Sequence, residues 1–406
     1  MAFVFGSGLL ASTNDFYDRI TGTSTNDTVS YSTATSSVNI SLLISGAQST
    51  GGSFFDELIS IENIIGSGFN DSFEGDAGNN IIDGAAGSDT VSYRNATSGV
   101  TISLLLTTAQ ATGGAGSDTL LNLENIIGSS FSDRLQGNAS ANVIIGGEGN
   151  DTLIGTSGSD ILDGGAGFDT ADYGSLGSII SLGTFGVLRK GALGTDTLIG
   201  VESIIGSSLL GDTIDHSGAS VAPATGTVTN LSTGVVTVNG TASPLPLTFN
   251  VSQFENVIGS GFADTITGNA ANNSLAGGAG NDSLIASSGN DTLDGGSGND
   301  TANYNALGSV VSLGAFGVLR KGALGTDTLI GVESIIGSSL LGDTIDHSGA
   351  SVAPATGTVT NLSTGVVTVN GTASPLPLTF NVSQFENVIG SGFADTITGK
   401  IGRAHV

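Results

Sequence analysis

The sequence has no cysteine and no tryptophan, one methionine, six prolines, and only nine lysine and arginine residues among 406. Without cysteine there is no disulfide framework; the redox compartment stays open, and the chain suits export in an unfolded state or stability without cross-links. The few basic residues are scattered and make no basic patch, so no nucleic acid partner is expected. No run of 18 apolar residues occurs, which excludes a transmembrane segment of ordinary helical length, and "MAFVFGSGLLASTND" lacks the basic, apolar, small-residue order of a signal peptide. Aromatics are 5% of the chain, too few for a thick globular core. Charged residues are only 11%, and that separates the chain from charge-rich disordered sequences.

What is present is glycine and carboxylate. There are 65 glycines, and 36 acidic residues against the nine basic ones leave a net charge of −27. Such an excess calls for counter-charge, and cations are the expected partner.

Three repeat periods organise the chain. The shortest is nine: nonapeptides open at Gly128, Gly137, Gly146, Gly155 and Gly164, and again at Gly259, Gly268, Gly277, Ala286 and Gly295. A shorter run opens at Gly66, Gly75 and Gly84. The second period is 62, bringing "NDTVSYSTATSSVNISLL" from Asn26 back as "SDTVSYRNATSGVTISLL" from Ser88. The third is 131: residues 176–268 return as 307–399 with three differences. These periods divide the chain into a strand-rich repeat segment 1–65, a nonapeptide run 66–92, a strand-rich segment 93–127, a second run 128–172, and the first copy of the duplication 173–258. A third run 259–303 and the second copy 304–399 follow. The tail 400–406, "KIGRAHV", departs from the first copy and, back-translated, resembles a sequencing adapter; it is expected to be non-native, with the protein continuing past Gly399. Between runs the sequence is strand-like, as in "GTVTNLSTGVVTVNG", and helical periodicity is nearly absent.

The nonapeptide GGxGxDxUx, with U large and apolar, has a chemical logic. Glycines permit positive φ and tight turning, which exposes carbonyl oxygens inside the turn, and Asp adds a carboxylate. Hard oxygen ligands in flexible geometry suit Ca2+ better than Mg2+. The U residues Leu153, Leu162, Leu284 and Leu293 are expected to point inward from very short strands. One apolar residue per nonapeptide cannot fold alone, so many turns must stack, with cations cancelling the repulsion between Asp residues.

These motifs resemble the hemolysin-type calcium-binding repeats of the RTX family of secreted bacterial proteins. The resemblance implies an all-β fold, a parallel β-roll or β-solenoid in which two nonapeptides make one coil and Ca2+ lies between loops one full coil apart. Carried over by position, it places Asp133, Asp151 and Asp169 on one edge with Asp160 opposite, Asp264, Asp282 and Asp300 on one edge with Asp291 opposite, and Asp71 with Asp89. The GGxGxD core is complete at five places. These add Asp118 and the loop glycines Gly146, Gly147, Gly149, Gly164, Gly165, Gly167, Gly277, Gly278, Gly280, Gly295, Gly296 and Gly298 as calcium ligands. Asn80, Asn142 and Asn273 replace the Asp, and Phe69, Phe131, Phe262 and Phe393 replace the third glycine. Full metal sites are not expected in those turns, and the Phe side chains are expected to cap the core. "GALGTDTLI" at 191 and 322 leaves Asp196 and Asp327 open between metal turn and plain turn.

No catalytic motif appears: neither HExxH nor GxSxG occurs. His216 and His347 are expected on the surface or in turns, the pairs Arg189–Lys190 and Arg320–Lys321 solvated, and the recurring Glu of "ENIIGS" or "ESIIGS" solvated or capping. The resulting expectation is calcium binding, without enzymatic activity, in a protein exported from a Gram-negative bacterium to the extracellular space or cell surface by type I secretion. It would act as a structural or adhesive array, with a surface ligand as a further partner. The alternative is the calcium-binding region of a secreted hydrolase or pore-forming toxin whose working domain lies elsewhere. Coils would advance by ~4.8 Å each, and the duplicated segment would continue the solenoid.

Overall fold

A computed structural model describes residues 2–5, 8–12, 17–23, 26–218, 226–239, 247–314, 317–348, 357–369 and 378–399; the tail 400–406 lies outside them. The described residues are strands and turns with no α-helix, the only helical pieces being single 3-10 turns such as Gly191–Leu193 and Gly322–Leu324. Two compact units form, residues 1–180 with 185–209, and residues 181–184 with 210–406.

Most strands are three residues long with the middle one buried, as the sequence dictates: a nonapeptide spends most of its length turning and leaves a short remainder to extend. In the first unit, Arg134–Gln136, Thr152–Ile154 and Thr170–Asp172 pair parallel in the register Leu135↔Leu153↔Ala171. The alternate nonapeptides Asn125–Ile127, Val143–Glu148 and Ile161–Ala166 form the facing sheet, in the register Ile126↔Ile144↔Leu162. Each step along either sheet spans two nonapeptides, which together make one coil. The second unit repeats this with Val257↔Leu275↔Leu293 facing Ile266↔Leu284↔Ala302. The fold is an all-β parallel β-roll. Its core is one side chain thick on each face: Leu135, Leu153, Ile144, Leu162, Leu275, Leu284 and Leu293 are all buried. Burying one leucine contributes ~1.5–3 kcal/mol, which is little for each nonapeptide and leaves much to the turns.

The strand-rich segments join the same sheets through antiparallel hairpins. Val187–Arg189 turns back on Thr195–Ile199, whose register then returns to the roll as Leu162↔Leu198. That coil is twice the usual length, the extra chain being the hairpin. Val318–Arg320 and Thr326–Ile330 do the same in the second unit, with Leu293↔Leu329.

The hairpins overturn one expectation. "GGAGSD" at 113–118 is not a roll turn: Gly113 and Gly116 face one another at a hairpin tip, with φ of 87° and 86°. Asp118 lies within the returning strand Gly116–Leu121. The motif's glycines serve any tight turn. The flanking strands decide which turn forms, and here they pair with each other.

Candidate metal centre

The loop of each nonapeptide stacks on the loop one coil before it, and a hydrogen-bond ladder sets the stack. The amide of Asp133 donates to Asp151 Oδ1 at 2.8 Å, and the amide of Asp151 donates to Asp169 Oδ1 at 2.7 Å. Asp264, Asp282 and Asp300 repeat this at 2.7 and 2.8 Å, and Asp71 donates to Asp89 at 2.7 Å. On the opposite edge, Asn142 donates to Asp160 Oδ1 at 3.0 Å and Asn273 to Asp291 Oδ1 at 2.9 Å. The ladder ends at the recurring glutamate. Glu124 accepts from the Asp89 amide at 2.9 Å, Glu202 from Asp169 at 2.8 Å and Glu333 from Asp300 at 2.8 Å. Each supplies the oxygen that a further Asp would have given.

The second carboxylate oxygen sorts the turns into kinds. In Asp89, Asp151, Asp169, Asp282 and Asp300 it is buried with no hydrogen-bond partner. Four of these follow the double-glycine loops at 146, 164, 277 and 295; Asp89 follows "GAAGSD". Buried acceptors without partners cost free energy that protein interiors rarely leave uncompensated. Burial pushes Asp151 up to about 7 and Asp89 and Asp282 up to about 6; backbone hydrogen bonds oppose the shift and neighbouring carboxylates add to it. Asp169 and Asp300 are also raised by burial. No salt bridge among the described residues reaches these five carboxylates.

The glycines explain why the loops stay open. Gly147 and Gly165 hold φ of 118° and 93°, and a Cβ on Gly165 would overlap the Gly147 carbonyl oxygen of the preceding loop. A Cβ on Gly167 would likewise overlap the Gly149 carbonyl oxygen. Stacked carbonyls and paired, unpartnered carboxylate oxygens are a hard-oxygen donor set, so these residues fit Ca2+. Among the described residues no group of three or more His, Cys, Asp or Glu side chains is placed so that it could hold a metal ion by itself. A cation here would therefore be held by carboxylate pairs with backbone carbonyls, for which the resemblance offers Gly146, Gly147, Gly149, Gly164, Gly165 and Gly167 in one unit and Gly277, Gly278, Gly280, Gly295, Gly296 and Gly298 in the other.

Other turns satisfy themselves. In the loops ending at Asp71, Asp133 and Asp264 a serine stands at the second position, and its amide and hydroxyl both bond the Asp. Ser67 donates to Asp71 at 2.6 and 2.8 Å, Ser129 to Asp133 at 2.5 and 2.8 Å, and Ser260 to Asp264 at 2.6 and 3.0 Å. Asn80, Asn142 and Asn273 place Oδ1 on the loop amide and Nδ2 on a backbone carbonyl, at 2.8, 2.7 and 2.8 Å for the latter. Asp118 is also fully used, taking the Asn80 amide at 3.0 Å and the Tyr93 hydroxyl at 3.0 Å.

Three further expectations are corrected. Phe69, Phe131 and Phe393 do not cap the core; they are 46%, 44% and 37% exposed, because the fourth loop position, that of the third glycine, is the outward apex. His216 and His347 are buried rather than on the surface, with Nε2 on the hydroxyls of Thr229 and Thr360 at 3.1 and 2.9 Å. Burial pushes His216 down to about 4. Lys190 and Lys321 are not solvated but completely buried.

Sequence comparison agrees with this geometry. The family model for the RTX calcium-binding nonapeptide repeat (4 copies) matches residues 60–91, 127–162, 136–171, 254–284 and 267–302. Over these stretches the chain matches the RTX calcium-binding repeat. The matches cover the three stacks of RTX turns and leave the hairpin segments outside. No match was found among curated proteins. Among solved structures, the chain is similar to the extracellular lipase LipA from Serratia marcescens at 18% identity, over 53% of this chain and 42% of that one, with a TM-score of 0.20. The similarity thus spans less than half of that lipase.

Proposed function

We propose that this chain is a calcium-stabilised, non-enzymatic segment of a protein secreted by a Gram-negative bacterium through a type I route, serving as a structural or adhesive array at the cell surface. The observation that carries the calcium reading is the set of buried, unpartnered oxygens on Asp89, Asp151, Asp169, Asp282 and Asp300. They recur at one position of the loop, in stacks that step by one coil, where a divalent cation would neutralise two carboxylates at once. The 62- and 131-residue repeats support the array, since an enzyme's calcium-binding tail usually needs only one roll. The two described histidines are engaged in buried contacts with threonine, which supports a scaffold role.

Metal binding is then coupled to folding. Far-UV circular dichroism is expected to show mostly unordered chain in chelator and β structure in millimolar Ca2+. A strong β signal that chelator leaves unchanged would reject the coupling and favour a metal-free solenoid.

A further inference from the structure

The edge of the roll opposite the calcium-type stack contains a different counter-charge. Lys190 Nζ lies 2.6 Å from the carbonyl oxygen of Thr156 and 3.0 Å from Asp160 Oδ2, and it pairs with Asp196 Oδ1. Lys321 Nζ lies 2.7 Å from the Ser287 carbonyl oxygen, 3.0 Å from Asp291 Oδ2 and 2.5 Å from Asp327 Oδ1. Both lysines are wholly buried. An ammonium has three donors, and here it meets three oxygens: a loop carbonyl, the Asp of that loop, and the carboxylate of the next rung. These are the donor types that a double-glycine turn offers a metal.

The state of the oxygens differs between the edges. Asp160 and Asp291 have no unpartnered oxygen, nor have Asp196 and Asp327, whose other oxygens take the hydroxyls of Tyr173 and Tyr304 at 2.7 and 2.9 Å. The loops concerned, "GTSGSD" and "ASSGND", also lack the double glycine.

The chain supplies its own comparison. In the first block no lysine is present at this place, and the loop residue is Asn80, whose amide donates to Asp118 at 3.0 Å as Asp160 donates to Asp196 at 2.9 Å. At these three places the loop holds a carboxylate where the ammonium is present and an amide where it is absent, and loop residue, rung partner and lysine sum to −1 in each case. One 62-residue repeat before Asn80, Asp18 pairs with Asp56 without a lysine, and there the hydroxyls of Ser12 and Thr50 lie 3.4 Å from the two carboxylates. The stretch before the near-identical duplication has drifted: Thr156, Ile161 and Phe168 stand where the second unit has Ser287, Thr292 and Asn299. Asp160/Asp291, the lysines and Asp196/Asp327 are nevertheless paired alike.

We propose that Lys190 and Lys321 are tethered cations that stand in the place of a metal ion, making the second edge of each repeat block independent of calcium. Each block then has one edge completed by the chain and one completed from solution. The proposal refines the calcium reading, and the test separates the two.

Calcium chloride is the probe, with the Ca2+ midpoint of folding followed by circular dichroism and stoichiometry by isothermal titration. In the K190M/K321M variant the bare Asp pairs should raise the midpoint by about tenfold or more, ~1.4 kcal/mol per factor of ten, and up to one additional ion should bind per substitution. Adding D160N and D291N, the arrangement of the first block, should return midpoint and stoichiometry to those of the unaltered chain. An unchanged midpoint in K190M/K321M would overturn the proposal, as would failure of D160N and D291N to rescue it. If D151N/D169N leaves calcium binding unaltered, the calcium reading fails instead. The lysine substitution and its rescue would then still be read from thermal unfolding in chelator.

Discussion

At the scale of single residues, the fate of one oxygen atom distinguishes turns that look alike. Asp133 and Asp151 occupy successive coils of one stack, yet Ser129 completes the first and no protein group completes the second. Substituting Asp151 or Asp169 with Ala is expected to remove much the same calcium site, so the double change should add little to either single change. Asp151 with Asp160 should be nearly additive, since the two lie on opposite edges. Isothermal titration across these variants checks both statements; strong coupling of 151 with 160, and none with 169, would contradict the register. Ser129→Ala should behave differently again. It removes a buried hydrogen bond worth ~1 kcal/mol and leaves the number of bound ions unaltered, which chemical denaturation at saturating Ca2+ would show.

At the scale of the loop and its strand, protonation and metal compete for the same oxygens. Asp89, Asp151 and Asp282 sit at about 6 to 7 in the folded roll against 3.8 for an unperturbed Asp. Because the folded values are raised, the folded state binds these protons more tightly than the unfolded chain does. In chelator, stability should therefore be greatest below about pH 4 and decline as pH rises through about 7. With Ca2+ bound the carboxylates are already deprotonated, and the decline should disappear. Thermal unfolding between pH 4 and 8, with and without Ca2+, measures this; a metal-free roll whose stability rises with pH would contradict it.

Element by element, stacked turns were legible in the double glycine, Asp and one apolar residue at a nine-residue spacing, while the roll with two nonapeptides to a coil was what the resemblance to the RTX repeats implied. The same pattern misled at Asp118, where a complete copy of the motif closes a hairpin because the strands around it pair with each other. Lys190 was hidden for a different reason. It lies 30 residues from Asp160, on a hairpin whose return to the roll is visible only as strand pairing. The serine caps had a legible signal, the second-position Ser of "GSGF" and "GSSF", which the missing glycine overshadowed.

At the scale of the whole molecule, a net charge of −27 and a thin core set the conditions under which the chain folds. Raising monovalent salt screens exposed carboxylates but reaches buried pairs much less. Molar NaCl is thus expected to replace millimolar Ca2+ poorly in restoring β structure, whereas a salt-induced recovery equal to that with Ca2+ would show that diffuse repulsion alone opposes folding.

The Asp ladder has a direction. Each loop amide points toward the following coil and takes its oxygen from there, until a glutamate supplies the final one. A roll built this way is a ruler with a stop. Further coil-length units can be spliced into its middle without leaving an amide unmet, and the Glu at the end of the stack closes the count wherever it is placed. Length can accordingly change by whole coils through gene duplication, while the terminus keeps the same chemistry.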